Sequence, residues 1–182
     1  FRQSPVDRSF DRFTEAEIAF IATRDSFYMA SVSETGWPYL QHRGGPPGFL
    51  RVLDDRTLAF ADFRGNRHYI SLGNVSANDR VCLFLMDYPR RGRLKIYAHA
   101  EIRALGQDPE FDAKLLTPGY RARPERAFML RLEAFDWNCQ QHITPRFTEA
   151  EIAASLERVR VRLETLEAEN AALRARLAML GA

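Results

Sequence analysis

TLAFADFRGNRHYISLGNVSANDRVCLFLMD, residues 57–87, carries two apolar runs separated by a basic segment around Gly65. The first run, 57–61, and the last, 80–87, are short and rich in residues that suit a pleated surface, so both read as β-strands. Between them Tyr69, Ile70, Leu72 and Val75 recur at helical spacing, which predicts a helix over 66–76 with those four on or near its buried face. A strand that runs into a helix at FRGNR is a candidate anion site. Gly65 allows close backbone approach, Asn66 is placed to cap the helix, and Arg64 and Arg67 bring charge to its N–H groups. Arginines beside a turn are common on protein surfaces, so spacing alone leaves a solvated turn as the alternative. His68 falls on the exposed side of the helix, and Asp62 is read as orienting Arg64 or Arg67.

Strand patterns continue on both sides of this block. Upstream, SFYMASVS (26–33), a turn at ETG and WPYLQH (37–42) form a hairpin, with Pro38 confining the second strand to an edge or a strand start. RGGPPG (43–48) reads as irregular, and FLRVL (49–53) pairs with 57–61 across a DDR turn. Downstream, RLKIYAHAEIRAL (93–105) alternates strictly, with Leu94, Ile96, Ala98 and Ala100 on one side. One or two weak helices span 108–126, and RAFMLRLEAFDW (126–137) returns as the last strand. Six or seven strands joined mostly by tight turns, with helices at the ends and one in the middle, predict a mainly β chain with peripheral helices, folded as a small closed or partly closed barrel.

The octapeptide RFTEAEIA occurs at 12–19 and again at 146–153, and the flanks of the two copies do not match. Each is a complete helix start. Thr14 or Thr148 is the N-cap, Glu17 or Glu151 closes a capping box, and Phe13 with Ile18, or Phe147 with Ile152, forms a hydrophobic staple. From the second copy onward Leu156, Val159, Leu163, Leu166, Leu173, Leu177 and Leu180 are spaced alternately by three and four. With Leu156 at heptad position a, Val159, Leu166, Leu173 and Leu180 fall at d and Asn170 at a, where a buried amide is satisfied best by its twin in a parallel dimer. Arg162 then meets Glu167 of the partner helix, and Glu169 meets Arg174. The expected organisation is a barrel over 1–147 and a parallel coiled-coil dimerisation helix over 148–182. A helix packed on its own barrel would explain the leucines, but not the asparagine or the charge match.

Composition narrows the function classes. The 182 residues are 46% hydrophobic, enough for a core, and 26 Lys and Arg against 24 acids leave a net charge of +2, which implies no polyanion partner. Three spaced arginines before the zipper are not the basic block of a forked DNA-binding helix. Lysine occurs only at Lys95 and Lys114, an arginine bias that suits bidentate anion binding but also follows from base composition alone. Cys82 and Cys139 lack the spacing of a metal site or disulfide framework, no apolar run approaches a membrane span, and a reducing cytoplasm is the expected setting. Because the sequence opens on Phe1, some N-terminal residues are expected to be missing from it.

QHRGGPPGF, LAFADFRGNRHYISLGNVSANDRVCLFLMD, RLKIYAHAEI and DWNCQQHITPRF together resemble the pyridoxamine 5'-phosphate oxidase-like family of flavin-binding split barrels, over roughly residues 14–147 and closest to its uncharacterised bacterial branch. The resemblance implies an FMN-binding homodimer with two cofactor sites at the subunit interface. Position by position, Arg43 with Gly44 opens the first flavin-contacting stretch, and Phe60 and Ala61 end the next hairpin. Asn66 and Arg67, with Arg64 beside them, grip the phosphate. Arg93 stands where the family often has a glutamine, and Trp137 and Arg146 match the residues that reach the flavin from the second subunit. The anion expected at FRGNR is therefore the ribityl phosphate of FMN.

Two departures bear on substrate. The oxidases' substrate-binding lysine, five residues after the position of Arg43, is Gly48 here, and their tyrosine, arginine and serine array for the pyridoxal phosphate group is not recognisable, Tyr120 being followed by Pro124. The resemblance thus implies an FMN-dependent oxidoreductase whose substrate is not pyridoxamine phosphate, and the sequence names no protein nucleophile or other catalytic residue; the alternative is a non-catalytic flavin-binding or sensing protein acting through its coiled coil. His42 and His142 are candidates to line the flavin face, and Cys139 to sit at its edge. Each has a plainer reading, as a hydrogen-bonding residue or an unreactive small one.

Overall fold

The structure, a computed structural model, describes residues 10–65, 69–137 and 140–181. Its described residues fall into two compact units, one within 1–143 and the other within 144–182. The first unit runs α1 (Glu15–Ala22), β1 (Ser26–Val32), β2 (Pro38–Gly44), β3 (Arg51–Val52), β4 (Thr57–Phe63), α2 (Ile70–Ala77), β5 (Arg80–Asp87), β6 (Gly92–Ala104), α3 (Pro109–Leu115) and β7 (Pro124–Trp137). The second holds α4 (Glu149–Met179).

The seven strands form one antiparallel sheet in the order β2-β1-β5-β6-β7-β4-β3. Alternation decides which face turns inward. Leu94, Ile96 and Ala98 of β6, Val81, Leu83 and Leu85 of β5, and Phe27 and Met29 of β1 are buried on the concave side. The expected alternation of 93–105 is borne out. The sheet curls until its ends face one another, and side chains rather than a backbone ladder join them. Phe27 meets Phe60 of β4 at 5.3 Å, Phe60 stacks on Phe128 of β7 at 5.0 Å, and Arg43 of β2 reaches Asp62 of β4. This is a split β-barrel, the mainly β fold that the turn-rich pattern predicts. On the convex side α3 packs Phe111 and Leu115 against Ala59 and Ala127.

Local chemistry starts the helices. In α1 the Thr14 N–H and hydroxyl both donate to the Glu17 carboxylate, at 2.9 and 2.5 Å. In α4 the same sequence makes the reciprocal box: Thr148 N–H donates to Glu151, and Glu151 N–H to the Thr148 hydroxyl, at 2.8 and 3.2 Å. Arg24, just past α1, donates to Asp87 at 2.8 Å and to the Met86 carbonyl at 2.8 Å, tying the helix to the end of β5.

Several boundaries differ from expectation. β2 continues through Arg43 and Gly44, because Ser26 and Phe27 of β1 still pair with them, so RGGPPG is not wholly irregular. The region 108–126 holds one described helix, α3, and β7 starts at Pro124. The described middle helix is Ile70–Ala77, with Tyr69 left-handed ahead of it, and residues 66–68 of the expected span lie outside the described residues. Tyr69 and Ile70 are exposed, and the buried face is Ser71, Asn74 and Val75. Two of those three are polar, and periodicity in apolar residues could not point to them.

Candidate functional site

The split between β2 and β4 is lined by charge. Register places Asp62 opposite Arg126, Phe60 opposite Phe128 and Leu58 opposite Leu130, all pointing inward, so the apolar column of β4 and β7 ends in an acid–base rung. Arg43 enters from β2. Its guanidinium lies 5.2 Å above the Phe128 ring and 5.7 Å from that of Phe60, and donates to Asp62 at 2.5 Å. The other Asp62 oxygen faces Arg126 at 3.8 Å. Asp62 therefore orients Arg43 and Arg126 rather than Arg64; Arg67, the other expected partner, lies outside the described residues.

At Asp62/Phe63 the β4–β7 register shifts, with Asp62 opposite Arg126 and Phe63 opposite Pro124. Glu125 is left as the extra residue of a bulge, a device that re-aims a side chain. Its carboxylate accepts from the Tyr69 hydroxyl at 3.1 Å and pairs with Arg126 at 3.3 Å, with Arg64 at 4.0 Å. Tyr69 lies under the Arg126 guanidinium at 4.8 Å. Its backbone sits at φ 45°, left-handed, a conformation that costs a non-glycine residue about 1–3 kcal/mol and persists only where its surroundings impose it. The two contacts hold its side chain over the cluster. Sequence reading missed Arg126, Glu125 and Tyr69. The first two lie in β7, where register sets Arg126 opposite Asp62 and the bulge leaves Glu125 facing Tyr69 and Arg64 after β4.

Three guanidinium groups, of Arg43, Arg64 and Arg126, thus face two carboxylates, of Asp62 and Glu125, so the cluster carries excess positive charge. The Nε of Arg43 is buried with no hydrogen-bond partner among the described residues. A buried donor left unpaired costs about 1–3 kcal/mol, and here it lies in a cluster whose guanidiniums outnumber its carboxylates. Arg51 has a buried unpartnered Nε too, but it donates from its other nitrogen to Thr117 at 3.1 Å and lines a mixed-charge cavity of about 540 Å³ with Asp108, Glu110 and Lys114. Excess charge together with an orphaned donor, not the orphaned donor alone, marks the split as fit for an anion.

The remaining expected residues are distributed as follows. Asn66, Arg67, His68 and Cys139 lie outside the described residues. Phe60 and Ala61 are buried on opposite faces of β4, the Phe60 ring wholly within the core, so only backbone there could meet a ligand. Gly44 ends β2. Arg93 lies on the convex face, its guanidinium 5.5 Å over Phe84, opposite to the side on which Arg43 points. Trp137 is held within its own chain: its indole N–H donates to Glu17 at 2.7 Å and its ring meets Phe20 edge-on at 4.8 Å. Burial pushes the Glu17 carboxyl up, but the hydrogen bonds from Thr14 and Trp137 outweigh it and leave the pKa below its ordinary value. His42 projects outward beside Tyr28, and His142 has a left-handed backbone. Arg146 belongs to the C-terminal unit. Within one chain the structure brings Arg43 and Arg64 of the expected set to the same cluster, and leaves Arg93 and Trp137 elsewhere.

Among the described residues no group of His, Cys, Asp and Glu is placed to hold a metal ion, and no helix is long and apolar enough to cross a membrane. The family model for pyridoxamine 5'-phosphate oxidase matches residues 13–138. HupZ of Group A Streptococcus superposes with a TM-score of 0.56 at 18% identity, covering 74% of this chain and 100% of that one. A Lactobacillus delbrueckii protein provisionally assigned as a pyridoxamine 5'-phosphate oxidase gives 0.52 at 20% identity, covering 69% and 94%. A conserved hypothetical protein of Mycobacterium tuberculosis gives 0.51 at 16%, covering 78% and 94%. At these identities the likeness is one of fold. No curated protein matches the sequence.

Proposed function

The chain belongs to the pyridoxamine 5'-phosphate oxidase family, and from that premise we propose that it is an FMN-binding flavoprotein, an oxidoreductase whose substrate is not pyridoxamine phosphate. The observation that carries the reading is the cationic cluster at the split, where Arg43, Arg64 and Arg126 outnumber Asp62 and Glu125 beside Gly65. Arg43 and Arg64, with Asn66 and Arg67 following in sequence, would hold the phosphate. When bound, FMN supplies the hydride or electron chemistry, and the protein supplies binding, orientation and electrostatics.

The partner in this reading is a second copy. On the convex face Tyr28, Leu40 and Tyr97 are 41, 62 and 43% exposed and lie in one patch across β2, β1, β5 and β6, on the side that carries Arg93. An apolar patch rimmed by charge is the surface of a protein contact. Pairing two barrels through it places Arg93 at the subunit boundary, in keeping with a cofactor site shared between chains. Loss of the oxidases' substrate lysine also has a structural counterpart. Gly48 has φ 75°, and a Cβ there would lie 2.8 Å from the Ala22 carbonyl oxygen, so no lysine fits without rebuilding the loop.

The test is the visible spectrum of the purified protein, with its thermal stability measured in added FMN. A ligand present at 100 times its Kd stabilises the folded state by about 2.7 kcal/mol. A colourless protein that FMN does not stabilise overturns the proposal. Turnover of bound FMN with NADH, NADPH or another reduced donor separates an enzyme from a sensor.

A further inference from the structure

We propose that α4 is a parallel two-stranded coiled coil formed with α4 of a second copy, set in register and orientation by Asn170. This goes beyond the flavin reading and does not depend on it.

α4 is one uninterrupted helix of 31 residues, none of them buried. At about 1.5 Å per residue it extends about 46 Å, more than four heptads, past the length at which a sustained a/d pattern denotes a coil. Ile152, Leu156, Val159, Leu163, Leu166, Leu173, Leu177 and Leu180 all rank among the exposed large hydrophobic residues, and they share one seam. Eight such side chains in a single stripe form a continuous apolar surface, whereas scattered surface leucines do not. The reciprocal capping box at Thr148 and Glu151 fixes where the helix begins, and Arg160, bonded to Glu157 and Glu164 at 2.7 and 2.6 Å, stiffens its flank.

The occupant follows from the residues around the seam. In a parallel pair Arg162 at g meets the partner's Glu167 at e, and Glu169 meets the partner's Arg174. Charge alone does not choose the orientation. In the fully overlapped antiparallel pair Arg160 faces Glu167 and Arg162 faces Glu169, which also attract. Asn170 chooses. Antiparallel packing sets a against d, so its amide would be buried against Val159 with no partner, whereas parallel packing sets it against its twin, where the two amides bond to each other. An unsatisfied buried amide on each chain is the cost that separates the two orientations. A copy of this chain supplies every matching group, so no other partner is needed to explain the stripe.

The experiment uses the full chain with Cys82→Ser and Cys139→Ser, to which Leu156→Cys or Leu177→Cys is added, both at position a and near opposite ends of α4. Mild oxidation is expected to convert each single-cysteine variant to a disulfide-linked dimer of twice the mass, with or without added FMN, while far-UV circular dichroism shows the helix retained. Linkage at one end only, at neither end, or only in a mixture of Leu156→Cys with Leu173→Cys chains, which antiparallel packing would bring together, overturns the proposal. Asn170→Leu provides the second arm. It is expected to let the mixed 156–173 product appear, and its absence there would show that Asn170 does not set the orientation.

Discussion

On the proposed reading that the FMN phosphate enters the split, replacing Asp62 with asparagine should weaken the protein and strengthen its hold on FMN at once. Asp62 is the counter-ion of two guanidinium groups, Arg43 at 2.5 Å and Arg126 at 3.8 Å, whose side chains are only 14 and 19% exposed. Removing one partner of a buried pair costs about 3–5 kcal/mol, mostly because the surviving charge stays buried. Residual hydration and the Phe128 and Tyr69 rings, which face the two guanidiniums, bring the expectation to the lower end, about 3 kcal/mol. With a denaturant slope of about 2 kcal/mol per molar, the urea midpoint should fall by about 1.5 M. A phosphate that enters the cluster takes over the role of the missing carboxylate. If it restores half of the loss, Asp62→Asn binds FMN about tenfold more tightly than the unsubstituted chain, since 1.4 kcal/mol is a factor of ten. Urea unfolding with and without FMN measures the first quantity, and quenching of flavin fluorescence on titration measures the second. An unchanged urea midpoint would remove the buried-pair argument. A lower midpoint with weaker FMN binding would show that Asp62 holds Arg43 in place for the phosphate and does not compete with it.

Acid should loosen the N-terminal helix through Glu17. Its folded pKa lies below the ordinary 4.5, so the stability it contributes is complete above that value and is lost as pH falls through the folded pKa; Glu17→Gln should flatten the dependence of urea stability on pH between about 5 and 3. Asn74→Ala leaves the buried Ser31 hydroxyl without the amide that donates to it at 3.0 Å, and should cost about 1–3 kcal/mol by thermal unfolding; no measurable loss would mean that water replaces the amide. Leu40→Glu with Tyr97→Glu sets charges on the convex apolar patch, and, if the proposed barrel pairing and α4 coil both hold, should release FMN while the full chain still runs as a dimer. Flavin retained by that variant would show that the cofactor site does not need this face.

What the sequence reveals depends on how far apart the interacting residues stand. The alternation of β6 and the start of α4 are local, and both are readable. The repeated RFTEAEIA shows the limit of locality. Both copies begin a helix at the predicted threonine, yet Phe13 is buried and stacks on Phe135, while Phe147 is 59% exposed. Eight residues encode a helix start and say nothing of what surrounds it. α2 fails for a different reason. Its buried face is held by Ser71 donating to Gln41 at 2.7 Å and Asn74 donating to Ser31 at 3.0 Å, so the residues that anchor it are those a hydrophobic pattern discards. Tyr69 and Ile70, which the pattern selects, are exposed, and Tyr69 lies beside the candidate site instead. Arg43–Asp62 is unreadable because it crosses the split, between strands that do not pair.

The polar seat of α2 and the charged split have one cause. On the inward face of β2 stand Tyr39, Gln41 and Arg43, opposite Ser31, Met29 and Phe27 of β1, so the last strand on this side of the sheet brings no aliphatic side chain to the core. Such an edge cannot close onto β4 as a dry seam, because each inward polar group needs a partner. Gln41 and Ser31 find theirs on α2; Arg43 finds Asp62 and is left with an unpartnered Nε among the described residues. A barrel closed by such groups keeps a hydrated, cationic cleft where a fully apolar one would seal. Replacing Gln41 and Arg43 by leucine, with Asp62 also made apolar, should abolish FMN uptake by removing the cationic cleft, and should lower the urea midpoint, because the buried Ser71 hydroxyl loses its acceptor and Arg126 loses one of its two carboxylates. A triple variant that keeps its flavin would place the anion somewhere other than the split.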